Sequence, residues 1–198
     1  LDALLAKEGP LAPARALELI AGCADGLAAL HEAGLVHRDI KPHNIFLDAH
    51  GRPKLGDFGL ARRASGEDRM TMTGTGMGTP AYMSPEQVYG SEKLDCRSDI
   101  YALGATLYHL VSGQMLFQGK TDDEMIRCHV DTSQAPDVRA LAPNAGGPFA
   151  LLLEKMLAKD ANHRQRDWKL VLADLNRVRE GHPPWPAMLP PNGSSMLR

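Results

Sequence analysis

Cysteine is scarce in this sequence. Cys23, Cys96 and Cys128 are an odd number at wide spacing, with no C-x-x-C pair. That excludes a disulfide framework and a zinc knuckle, and predicts three small, buried, reduced side chains in a cytoplasmic setting. The eight His residues show no H-E-x-x-H or comparable ligand spacing. No uninterrupted apolar run is long enough to span a bilayer. The opening residues Leu1 to Glu8 lack the charged-then-apolar pattern of a signal peptide. Neither sign of charge dominates: 22 Lys and Arg against 24 Asp and Glu leave −2, so no strong field draws the chain to nucleic acid or anionic lipid. There is no internal repeat. An initiator Met is missing too, and the chain is expected to begin inside a longer protein.

What is present is ordinary globular composition, 43% hydrophobic and 23% charged over 198 residues, the length of one domain or a large piece of one. A short helix is predicted over Leu1 to Ala6, ended by Gly9-Pro10. Pro13 then opens a longer one, whose apolar positions Ala16, Ile20, Cys23, Leu27 and Leu30 form one stripe ending at Gly34. Short apolar runs at 35–36, 45–47 and 53–55 read as a small hairpin, with Asp48 to Gly51 as its turn. Residues 61–79 have no usable period and read as a long loop of the kind that carries function.

Ile100 to Val111 is apolar on almost every face, a helix for the middle of a domain. Thr121-x-x-Glu124 reads as a capping box. Further helices are predicted over Pro148 to Ala158, with Leu151, Leu152, Met156 and Leu157 inward, and over Trp168 to Val178, ended by Gly181. The Pro-rich stretch from His182 onward reads as an exposed linker or tail, compatible with a segment leading to a membrane anchor in a longer protein. The fold class expected is mainly α with a small β-hairpin.

The chemistry concentrates in His37-Arg38-Asp39-Ile40-Lys41-Pro42-His43-Asn44, with Asp57-Phe58-Gly59 thirteen residues beyond Asn44. Gly78-Thr79-Pro80 and Ser84-Pro85-Glu86 follow. This places carboxylates, a Lys and a carboxamide at the mouth of a hairpin. Asn44 and Asp57 offer the hard oxygens that Mg²⁺ prefers. Lys41, two residues after Asp39, can neutralise a transferring phosphoryl group, and Asp39 can orient and accept the proton of an attacking hydroxyl.

In order and spacing these motifs resemble the protein-kinase signature set, with Ile40 in the Leu place of H-R-D-L and Ser84 in the Ala place of A-P-E. Asp99 to Gly104 is similar to the family's buried helix start that anchors the catalytic loop. Lys159 to Arg164 is similar to the late motif whose Arg pairs with the Glu of A-P-E, here Arg164 with Glu86. Lys41 and Thr79 look like the Ser/Thr branch, and the segments around Ile40 to Pro42 and Tyr82 to Gln87 look most like bacterial, eukaryotic-like Ser/Thr kinases.

The resemblance implies the C-terminal lobe of the α+β kinase fold over residues 1–181, followed by a tail over 182–198. It implies Asp39 and Lys41 as catalytic residues, Asn44 and Asp57 as metal ligands, and Phe46 and Lys41 against ATP. Thr79 would contact substrate, Asp39 and Lys41. His37, Phe58, Gly59, Glu86, Asp99 and Arg164 would be structural, with His37 stacked near Phe58. Arg38 and Arg62 would gather a loop phosphate on Thr71, Thr73 or Thr75. ATP and Mg²⁺ are the implied cofactors. Protein Ser/Thr hydroxyls are the implied substrate, with a kinase dimer as the route to loop autophosphorylation.

No Gly-rich loop and no V-A-I-K-type Lys precede the catalytic loop, so the N-terminal lobe is expected to be absent here and this piece alone inactive. The alternatives are a non-catalytic kinase-like scaffold or binding module, and, fitting less well, a small-molecule phosphotransferase.

Overall fold

The structure is a computed structural model that describes residues 1–58, 80–91, 93–119, 121–131, 133, 138–141 and 145–186, with the backbone alone at 62–63 and 140–141. Helices dominate. α1 (Asp2–Glu8) and α2 (Pro13–Glu32) lead into β1 (Leu35–Val36), β2 (Ile45–Leu47), β3 (Pro53–Leu55) and β4 (Arg62–Arg63). Then come α3 (Pro85–Val88), α4 (Cys96–Ser112), α5 (Asp122–Val130), α6 (Gly147–Met156) and α7 (Trp168–Arg179). The strands form two antiparallel pairs, β1 with β4 and β2 with β3.

α4 is the central element, as its all-round apolarity requires. Ile100, Leu103, Leu107 and Leu110 are fully buried, each contributing about 1.5–3 kcal/mol relative to exposure. The helix starts four residues before the apolar run, because Asp95 caps it by accepting from the Arg97 N–H at 2.9 Å. α2 buries its predicted stripe of Ala16, Ile20, Cys23 and Leu27 against α4 and α7. Leu152, Leu153 and Met156 of α6 and Val171 and Leu175 of α7 complete the core. Leu151 departs from its expected inward stripe and is 40% exposed.

Small residues on α2 let the β2–β3 hairpin lie directly on that helix. A Cβ on Gly22 would come within 2.6 Å of the Pro53 ring, and one on Gly26 within 3.2 Å of Leu55. Pairing of Val36 with Arg62 puts a strand inside the stretch read as a loop. Two residues of backbone pairing leave no periodic trace in a sequence, since the partner lies far along the chain.

Burial raises Cys23 and Cys96 to about 12, which keeps both as thiols, while Cys128 is only partly buried. Among the described residues no helix is long and apolar enough to cross a membrane.

The segment after α7 stays largely exposed but is not loose up to Trp185. The Trp185 N–H donates to the buried Asp174 carboxylate at 2.8 Å, and Lys155 Nζ donates to both Asp174 (2.8 Å) and the Trp185 carbonyl (3.0 Å). Arg177 donates to the Pro183 carbonyl at 2.8 Å and lies over the Trp185 ring at 4.1 Å. Composition alone read this stretch as a tail; tertiary partners for its backbone are what tether it.

Candidate active site

The loop between β1 and β2 is built around Asp99, near the N-terminus of α4. Its two carboxylate oxygens accept the backbone N–H groups of His37 and Arg38, each at 2.8 Å. Burial raises the Asp99 pKa to about 6, against the opposing pull of those N–H bonds. The clamp holds Arg38 at φ 70°, a left-handed conformation for a residue with a side chain, which costs about 1–3 kcal/mol. The next residue is Asp39.

Asp39 and its neighbours then converge. Lys41 Nζ lies 2.9 Å from Asp39 Oδ2. Asn44, buried at the end of the 3-10 turn Pro42–Asn44, donates Nδ2 to Asp39 Oδ2 and to the Asp39 carbonyl, each at 2.8 Å. The Asn44 carbonyl accepts from the Gly56 N–H at 2.9 Å, which fastens the approach to Asp57 beside Asn44. Asp57 follows at φ 57°, again left-handed, and is exposed.

His37 joins the two halves. Its Nε2 donates to the Gly56 carbonyl at 3.2 Å, so Nδ1 is the acceptor and meets the Asp39 N–H at 3.4 Å. Its ring sits 5.2 Å from that of Phe58. Burial lowers the His37 pKa, outweighing the Gly56 carbonyl and the Asp39 and Asp57 carboxylates, which raise it. With one ring nitrogen on the Gly56 carbonyl and the other facing the Asp39 N–H, the fully buried imidazole packs between the two loops.

Phe46 is 57% exposed on the hairpin, its ring where a Cβ on Gly56 would stand at 2.5 Å. It is therefore a surface ring, not a core Phe. Glu86 and Arg164 form a two-pronged pair, Nη1 to Oε1 at 2.7 Å and Nη2 to Oε2 at 2.9 Å. Arg164 also donates to the carbonyls of Ala158, Arg97 and Lys159, so all of its N–H groups are used. Burial pushes the Glu86 pKa up, but Arg164 and Ser98 outweigh it and hold the group below the usual carboxylate range.

Thr79, Thr71, Thr73, Thr75 and Gly59 lie outside the described residues. For Arg62 only the backbone is described; its pairing with Val36 puts it beside the strand that leads to Arg38.

Two participants escaped sequence reasoning. Ser98 donates Oγ to Glu86 Oε1 at 2.7 Å, and nothing in the sequence marks it. Gln87 caps α3 reciprocally with Ser84 and donates Nε2 to the Arg38 carbonyl at 2.8 Å. The S-x-x-Q spacing was its available signal.

Asn44 Nδ2 is turned onto Asp39, which leaves the amide oxygen as the atom for other partners, and Asp57 supplies a carboxylate from the adjoining backbone. Such a neutral-plus-anionic pair of hard oxygens fits a small divalent cation that keeps water and phosphate as its remaining partners.

Lys41 and Asn44 thus hold Asp39 on a loop clamped to a buried helix start. The protein kinase domain family matches residues 1–171, and the chain belongs to that family. Bacterial Ser/Thr protein kinases are among its relatives. Serine/threonine-protein kinase PknB of Mycolicibacterium smegmatis is 39% identical over 178 residues, covering 89% of this chain and 28% of that protein. The DNA damage-responsive serine/threonine-protein kinase RqkA of Deinococcus radiodurans is 38% identical over 198 residues, covering 90% of this chain and 29% of that protein. Serine/threonine-protein kinase pkn2 of Myxococcus xanthus is 39% identical over 163 residues, covering 79% and 19%. The chain thus spans under a third of the length of these relatives.

Proposed function

We propose that the protein carrying this chain is a Ser/Thr protein kinase that transfers the γ-phosphoryl group of ATP to protein Ser or Thr hydroxyls. The observation that carries this reading is the convergence of Lys41 and Asn44 on Asp39 Oδ2. Residues 1–181 are the large-lobe kinase unit in this reading, with 182–198 as its tail.

Asp39 accepts the hydrogen bond of the substrate hydroxyl and takes its proton as the oxygen bonds to the γ-phosphorus. The bond from that phosphorus to the β–γ bridging oxygen breaks, and ADP leaves with the electron pair. Lys41 balances negative charge on the transferring group, and its contact with Asp39 keeps the carboxylate aimed. Asn44 and Asp57 would hold Mg²⁺, which when bound neutralises phosphate charge. Phe46 offers an exposed apolar face on which the adenine can rest. Thr79 is assigned to the substrate side, and Arg38 with Arg62 to a loop phosphate on Thr71, Thr73 or Thr75.

Asp39→Asn keeps the shape and the Asn44 contact region but removes the base. In the full-length protein it should lower kcat by about 10²-fold or more with ATP affinity unchanged, read by radiolabelled phosphotransfer and nucleotide titration. Wild-type kcat in that variant would refute the assignment. A non-catalytic scaffold has no physical need for a Lys and an amide gathered on one buried-side carboxylate.

A further inference from the structure

We propose that Gln87 is a positioning residue for phosphotransfer, tying α3 to the peptide unit that carries Asp39; the inference rests on the kinase reading above. The Arg38 carbonyl and the Asp39 N–H belong to one planar peptide unit. Rotation of that plane swings the Asp39 side chain. Asp99 fixes the chain as it enters the left-handed residue, through the N–H groups of His37 and Arg38. It has no hold on the carbonyl side. There the Gln87 Nε2 donates to the Arg38 carbonyl at 2.8 Å, while the Asp39 N–H makes a longer contact of 3.4 Å to His37.

The orientation of the Gln87 amide is dictated by its partners. Its Oε1 accepts from the Ser84 N–H at 3.0 Å and from Ser84 Oγ at 3.1 Å. Turned over, the amide would set a donor against the Ser84 N–H and an acceptor against the Arg38 carbonyl. One side chain therefore satisfies the first turn of α3 and the left-handed residue before Asp39 together. Its neighbour Glu86 anchors the same short helix to Arg164. α3 is thereby fixed on one side to the loop before α7 and on the other to the base. A displacement of α3 is felt at Asp39 through the Gln87–Arg38 hydrogen bond.

Gln87→Glu separates the two roles: it keeps an acceptor for Ser84 and removes the donor to Arg38. Gln87→Leu keeps the bulk and removes both. The test measures kcat, KM for peptide, KM for ATP and thermal stability of the full-length protein and both variants, with hydrogen exchange at the Asp39 amide. For Gln87→Glu we expect kcat to fall by about 10- to 100-fold, with KM for ATP unchanged, the fold retained and exchange at Asp39 faster. Gln87→Leu should lose kcat equally and stability as well.

Wild-type kcat in either folded variant would overturn the proposal, as would a rise in peptide KM alone. A wild-type protein that transfers no phosphate would overturn the kinase reading instead. The exchange measurement then still decides whether Gln87 holds the loop, unchanged exchange counting against it.

Discussion

Glu86 carries the clearest energetic consequence at the level of single residues. The Arg164 side chain that it neutralises is fully buried, and Glu86 itself retains 20% exposure. Removing the carboxylate leaves a guanidinium with no anion beside the Tyr101 ring, 4.9 Å away. Glu86→Ala should therefore destabilise the fold by about 3–5 kcal/mol. Arg164→Met removes the other charge, and the double variant should be less damaged than the sum of the single ones. Urea unfolding of all three checks this; additive losses would mean that the pair is not coupled. The geometry also limits what Arg164 can be replaced by. Its donors reach a carboxylate and three backbone carbonyls, a fork that Lys cannot reproduce.

Helix α5 brings a titratable group into the core. His129 is fully buried, with Nδ1 at 2.8 Å from the Tyr101 hydroxyl and its ring edge-on to Phe117 at 4.9 Å. Burial, and then the nearby Lys159 ammonium, lower its pKa to about 4, against an opposing contact with the Ala81 backbone. A His depressed in the folded state is charged in the unfolded chain first. Its contribution is thus complete above pH 6.5 and lost as the pH falls from there towards 4. Each unit in that window removes about 1.4 kcal/mol. His129→Gln, which can still pair with Tyr101, should be less stable at neutral pH yet lose less on acidification. Unfolding free energies across the window test this, and parallel curves for the two proteins would contradict it. The helix itself was legible: Thr121 accepts from the Glu124 N–H at 3.2 Å, as the T-x-x-E spacing requires.

Across the whole molecule, the kinase reading makes control of the loop after Asp57 a question of charge. Arg38 and Arg62 are brought to neighbouring backbone by the β1–β4 pairing, and a phosphate on Thr71, Thr73 or Thr75 would supply the anion for both. Changing the three Thr to Ala together should reduce activation of the full-length protein and remove the phosphopeptide from its mass spectrum. Full activity in that variant would exclude these sites as the switch.

Local order was readable along the chain wherever one short segment decides it. Pro13 opens α2, Gly34 at φ 76° follows it, and Asp39, Lys41 and Asn44 stand close enough in sequence to share one turn. Elsewhere the deciding partner is remote. Ser98 and Gln87 acquire roles because Glu86 and Arg38 come to them. Arg62 becomes a strand residue because Val36 lies alongside. Trp185 is held because Asp174 is buried beneath it and Lys155 reaches its carbonyl. Periodicity, caps and motif spacing are properties of neighbouring residues, so the sequence by itself determined the long helices, the β2–β3 pairing and the closeness of Asp39, Lys41 and Asn44. Hydrogen bonds between distant polar groups form only after apolar burial has closed the chain on itself, and those were decided by the tertiary structure alone.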